Sequence, residues 1–244
     1  MTLSDIRKAV AAYLHKGSVN NLIAGGVDLC LVALNQVRTA AELGNDFEFT
    51  RKLMSVSVDG VTGGDLSTAV EYGTANNFAI KSVLDVGTFD TAGNFRPAEW
   101  TTTGDSLNRE RLDNPFFIAR YPTDAQVSSG LIGQKRFVFS GNRVYFFPKT
   151  PNLTILLGIE AYTFTGDWAD YTDPAAGTLA YIWTRQGAQY LQWAATIHLN
   201  HLWRDFVFRQ EGNLPPPQAL ADAGLAALQT WDSFRYQQFR RHSR

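Results

Sequence analysis

Two histidines three residues apart, in His198-Leu-Asn-His201, pose the first question of chemistry in this chain. On a helix, residues at i and i+3 share a side, so both imidazoles could face one metal ion. A zinc-peptidase helix needs the pair at i, i+4, with a glutamate directly after the first histidine. Here Leu199 follows, and the nearest carboxylates, Asp205 and Glu211, do not complete a ligand set. The pair is therefore expected to pack inside a helical bundle, and no metal is assigned.

The second candidate is the acidic, aromatic stretch YTFTGDWADYTD (162–173). Its Asp167, Asp170 and Asp173, with Glu160 just upstream, are the residues best suited to sugar binding or acid/base hydrolysis of a glycoside. The competing expectation, which we prefer, is an acidic loop that caps the following helix. GVTGGD (60–65) has glycines but not the Lys-Ser/Thr of a phosphate-binding loop, and reads as a turn. No nucleophile elbow or dinucleotide fingerprint is present. The single cysteine, Cys30, excludes an internal disulfide framework and lies in an apolar run, where it reads as a small buried hydrophobe. No catalytic residue, cofactor-binding residue or cofactor is expected.

The C-terminus differs from the rest. WDSFRYQQFRRHSR sets Arg235, Arg240, Arg241 and Arg244 against Asp232, and interleaves Trp231, Phe234, Tyr236 and Phe239. Arginine mixed with large aromatics is the composition of protein–protein hot spots. The same residues could stack on bases and neutralise phosphates. A formal net charge of −1 for the whole chain gives no general attraction to nucleic acid, so a protein partner is preferred.

Three blocks must position these residues. Residues 1–44 read as two helices. The first has Ser4 as candidate N-cap and Leu3, Ile6, Val10, Tyr13 and Leu14 at helical spacing; Gly17 ends it. The second is expected from about Asn20 through Glu42, stopped by Gly44. The internal Gly25-Gly26 pair marks a close backbone approach or a late start. Residues 45–166 form a β-rich insertion. Met54, Val56 and Val58 alternate with Leu53, Ser55 and Ser57, and NFAIKSVLDVGTF and NLTILLGIEAYTF read as strands. Arg136–Phe139 and Arg143–Phe147 flank Ser140-Gly141-Asn142 as a hairpin. A short helical piece is expected at Ser106–Leu112, and the residues from Asp113 on to Gln134 read as loop.

Residues 174–230 return to helix. Tyr181 to Phe206 is Trp-rich, almost uncharged, and reads as one long buried helix. RQEGNLPPP breaks it, and Pro217 opens a last helix that continues to the end. The expected fold class is α+β: a four-helix-type bundle interrupted by a β-rich insertion, with an extended C-terminal tail at 231–244 for partner binding. With 45% apolar residues the 244-residue chain is a folded globular protein. Lacking any apolar run long enough to span a bilayer, it is expected to be soluble and made in a cytoplasm.

The stretches RFVFSGNRVYFFPKTPNLTILLGIEAYTFTGDWADYTD and YIWTRQGAQYLQWAATIHLNHLWRDFVFRQEGNLPPP resemble head-to-tail adaptor (connector) proteins of tailed bacteriophages. FRPAEWTTTGDSLNRERLDNPFFIARYP upstream resembles an insertion in adaptors of the same kind. The likeness runs over about 80–244 and rests on packing patterns. It implies a structural virion protein at the head–tail interface, assembled in the host cytoplasm as a homo-oligomeric, dodecameric ring. Such a ring binds the portal protein on one side and a tail or nozzle protein on the other. Genomic DNA passes through its channel during ejection without sequence recognition. The resemblance implies that Trp231, Phe234, Arg235, Tyr236, Phe239, Arg240, Arg241 and Arg244 reach the portal. It carries over no catalytic residue. The two alternatives are a carbohydrate-acting hydrolase of the virion using Asp167, Asp170 or Glu160, and a packaging accessory that binds nucleic acid through the basic tail.

Overall fold

The structure, a computed structural model, describes residues 1–14, 18–97, 107–111, 135–140, 142–147, 151–202 and 215–242. The chain is mixed α+β and divides into two units, residues 1–50 with 165–244, and residues 51–164.

The first unit begins with α1 (Leu3–Tyr13), and its cap is Thr2 rather than Ser4. Thr2 Oγ1 accepts the Asp5 amide while Asp5 accepts the Thr2 amide, both at 3.0 Å. This reciprocal box satisfies two donors that a helix start leaves unpaired, and a cap at Ser4 would forgo it. The second helix, α2 (Leu29–Gly44), starts later than its apolar spacing predicts. Residues 19–22 form a single 3₁₀ turn, then β1 (Ile23–Ala24) and β2 (Val27–Asp28) pair across Gly25-Gly26. Both glycines have positive φ, which reverses the chain in two residues at no steric cost. Of the two explanations for the pair, the late start holds, since a Cβ on either would meet nothing within 4 Å. Asp28 then caps α2 by accepting the Cys30 and Leu31 amides at 3.1 Å.

The helix expected over Tyr181–Phe206 is two helices, α3 (Leu179–Arg185) and α4 (Ala188–Leu202). Gly187 lies at the break, where a Cβ would sit 2.6 Å from the Trp183 ring. The indole of Trp183 fills that space and is fully buried, so packing overrides a continuous apolar period. The last helix, α5 (Pro217–His242), opens at Pro217 and runs through residues 231–242, so the expected extended tail is helical that far. Pro217, Asp28 and Thr2 each start a helix where the sequence offers a residue that tolerates or fills an unpaired N–H. Helix α4 packs against α1, α2 and α5. Their shared core holds Leu3, Ile6, Val10, Leu34, Trp183, Leu191, Leu199 and Leu228.

In the second unit, β3 (Arg51–Asp59), β4 (Gly64–Asp65), β5 (Val70–Glu71), β6 (Ile80–Phe89), β7 (Phe95–Pro97), β8 (Leu107–Arg111), β9 (Lys135–Ser140), β10 (Arg143–Phe147) and β11 (Thr154–Thr163) form two sheets. The order β5-β3-β11-β6-β7 is antiparallel throughout. The order β4-β10-β9-β8 is antiparallel save for the β8–β9 pair. Leu107–Arg111, expected within a short helix, is strand: it pairs in parallel with Lys135–Phe139, a partner that local spacing does not reveal. The entry and exit strands, β3 and β11, are direct neighbours from Arg51↔Tyr162 to Asp59↔Thr154. Met54 and Val56 of β3 lie opposite Ile159 and Leu157 of β11, and with Val58 and Ala161 they share one core, as period two requires. The 113–134 loop, most of RQEGNLPPP, Asp205 and Glu211 lie outside the described residues.

Gly224 marks a close backbone approach in the helical unit: a Cβ there would lie 2.6 Å from the Tyr190 backbone nitrogen. Backbone cannot give way as a side chain can, so Gly224→Ala must push α5 off α4 at a cost of about 1–3 kcal/mol. Urea unfolding checks it: an unchanged midpoint would mean the two helices are not in backbone contact.

Candidate partner-binding surface

The residues offered for partner binding lie on α5, and its packing sorts them. Leu228 is fully buried, and Trp231 is half-buried with its ring 6.3 Å from that of Phe49. Asp232, one residue on, is only 5% exposed. Its carboxylate accepts the Glu48 amide at 2.6 Å and the Phe49 amide at 3.0 Å, at the start of the 3₁₀ turn Glu48–Thr50. Burial pushes the Asp232 carboxyl above its ordinary range, against the lowering effect of those two donors. Phe234 points the other way and is 62% exposed. Arg235 is exposed, with its guanidinium 5.4 Å from the Trp231 ring. Tyr236, Phe239, Arg240 and Arg241 continue the helix, and Arg244 lies outside the described residues.

The other candidates are dispersed. His198 and His201 share α4, the first half-buried and the second exposed, and no group of three potential ligands exists among the described residues. Glu160 stands on β11 in the second unit, where Arg51 binds it at 2.7 Å. Asp167 and Asp170 belong to the first unit. Asp167 takes Arg38 at 2.6 Å, and Asp170 accepts the Thr172 amide at 2.7 Å, which holds its carboxyl low. Asp173 is exposed. Cys30 is fully buried, and burial pushes its thiol up to about 12, so it is an inert core residue.

Sequence reasoning missed a buried polar cluster of the helical unit. Helix α2 carries two charges, Arg38 and Glu42, and buries both. With Asn35 they lie at i, i+3 and i+7, one stripe of the helix. Asn35 exchanges hydrogen bonds with the Trp168 backbone: Trp168 N donates to Asn35 Oδ1 and Asn35 Nδ2 donates to Trp168 O, both at 3.0 Å. Arg38 donates to the Gly166 carbonyl at 2.8 Å and to Asp167, and its guanidinium lies 4.7 Å from the Trp168 ring. Glu42 accepts the Trp183 indole N–H at 2.7 Å and the Thr165 amide at 3.1 Å. Arg7, Asp28 and Tyr171 make a smaller cluster: Arg7 and the Tyr171 hydroxyl both donate to the Asp28 carboxylate that caps α2. The signal for the first was in the sequence as charged residues at positions that helical spacing turns inward.

No family model and no curated protein matches this chain. Among the described residues, no helix is long and apolar enough to cross a membrane.

Burial raises the Glu42 carboxyl, with its hydrogen bonds and Arg38 opposing. A folded state that holds a proton more tightly than the unfolded state loses stability as pH rises from the ordinary carboxylate range through the raised value. Glu42→Gln removes this dependence. Over about pH 4 to 7, the wild-type advantage over the variant in thermal midpoint should shrink as pH rises. Equal slopes for the two proteins, or an advantage that grows with pH, would overturn the assignment.

Proposed function

We propose that this chain is a structural virion protein, an adaptor subunit that joins a portal vertex to a tail and extends the DNA channel. The helices form a four-helix-type bundle around α4, interrupted by the β-rich unit. Copies assemble into a homo-oligomeric, dodecameric ring that contacts portal protein above and a tail or nozzle protein below. No residue is assigned catalysis, a metal or a cofactor.

The observation that carries this reading is at the end of α5. Phe234, at 62% exposure, stands beside an exposed Arg235, one helical step past two residues anchored in the unit. A large exposed aromatic beside arginine on a fixed helix is the make-up of an interface anchor. The helix continues with Tyr236, Phe239, Arg240 and Arg241, so the same chemistry extends toward the C-terminus. The likeness of residues 80–244 to phage adaptors adds the identity of the partner. A net charge of −1 also supports a channel wall that does not grip phosphates and slow sliding.

The experiment is imaging of the pure protein alone and mixed with purified portal rings of the same virion. A ring-shaped density added to the portal is the expected result. Phe234→Ala should weaken attachment about tenfold or more, with unfolding unchanged, since the ring it removes contributes to no core. Protein that stays monomeric and leaves the portal bare would overturn the proposal.

A further inference from the structure

The segment proposed to meet the portal is not an independent tail. Beyond the buried Leu228, α5 is tied to residues 45–49 of its unit. Gln229 donates to Asn45 Oδ1 at 2.6 Å, Trp231 meets Phe49, and Asp232 spans the Glu48 and Phe49 amides. Of these, only the Asp232 carboxylate satisfies two backbone donors at once, from a position 5% exposed. The Glu48–Thr50 turn receives from it the acceptors that a helical start needs. The contact is long-range, joining residues 183 and 184 positions apart.

We propose that Asp232 is a latch. While its carboxylate holds the Glu48–Thr50 turn, the end of α5 is docked, Trp231 is kept inward, and Phe234 and Arg235 are presented outward on a fixed helix. When it lets go, residues 229–235 lose the contacts that keep a terminal helix from fraying, and the segment becomes loose chain. Resting on the adaptor reading, this makes the latch the control of partner binding. A docked segment meets its partner already ordered, whereas an undocked one must be ordered on binding, at a cost for each side chain fixed. It also frees Trp231, which the docked form withholds.

The test is hydrogen exchange on the full chain without any partner, so its outcome is independent of whether the portal is bound. In Asp232→Ala the Glu48 and Phe49 amides and those of residues 229–236 should exchange at least tenfold faster, with α1 and α2 unchanged. Asp232→Asn keeps the volume and one acceptor oxygen and should open less. In the wild-type protein, whatever the variants do, these two sets of amides should open together at a lower denaturant concentration than α1 and α2. Unchanged exchange at Glu48 and Phe49, or acceleration spread evenly through α1 and α2, would overturn the latch. Portal binding by the wild-type protein, measured separately, tests the adaptor reading alone, and weaker binding by Asp232→Ala is expected if the latch controls it.

Discussion

The grip of Asn35, Arg38 and Glu42 on residues 165–168 is the constraint on which the helical unit depends. That unit is assembled from two stretches of chain, with residues 51–164 inserted between them. Bringing the ends of so long an insertion together costs loop-closure entropy, and something specific must offset it. The stripe on α2 supplies it: along 165–168, backbone or side-chain groups of each residue are held by Asn35, Arg38 or Glu42. Two buried charges would be a liability if unpaired, because desolvation of an ion costs several kcal/mol. Here the Arg38 guanidinium reaches a carbonyl, a carboxylate and an indole face, and Glu42 accepts an amide and an indole N–H. A shift of one residue in 165–168 would strand both charges. The pair therefore selects one register for the returning chain, which apolar packing alone would not.

The β unit meets the same problem with backbone. Its first and last strands pair along their length, so the chain enters at Arg51 and leaves near Tyr162, directly opposite. An insertion whose ends lie side by side can fold without distorting the unit that receives it. At the other end of α2, Asp28 does three jobs with one carboxylate. It caps the helix, takes Arg7 from α1, and receives the Tyr171 hydroxyl from the segment that follows the grip. Charged groups in this unit thus fix the positions of helices whose packing faces are apolar and otherwise permissive.

Much of this was legible and some was not, for reasons particular to each residue. The alternation of Met54, Val56 and Val58 against serines named a strand face correctly, because period two is a local property. The hairpin joining β9 and β10 was legible from its turn chemistry, and Pro217 from its tolerance at a helix start. The late start of α2 was hidden because Leu22, Ile23 and Val27 keep helical spacing while Gly25 and Gly26 turn the chain. The break before α4 was hidden because Trp183 claims the space at Gly187 from a position four residues earlier. The strand at Leu107–Arg111 depends on a parallel partner more than twenty residues away, which no local pattern shows. Arg38 and Glu42 were passed over because charge usually signals a solvated face, whereas here spacing placed them inward.

The end of α5 shows how composition and position divide the labour of specifying function. Read as composition, Trp231, Asp232, Phe234 and Arg235 are one aromatic and charged run, with a single meaning. Read as positions on a helix, successive residues are turned about 100° apart, so residues two positions apart fall on nearly opposite sides. Trp231 and Asp232 fall on the side that meets Phe49 and the Glu48–Thr50 turn, and Phe234 falls on the side that meets solvent. The inward pair gives the outward pair a fixed direction. A lone exposed phenylalanine on mobile chain would bind weakly, since its ordering would consume most of what its burial contributes. Held by a buried carboxylate two residues earlier on the helix, the same ring becomes, on that reading, a rigid anchor. On the adaptor reading, the acidic residue that looked like the exception in a basic tail is what makes the tail usable.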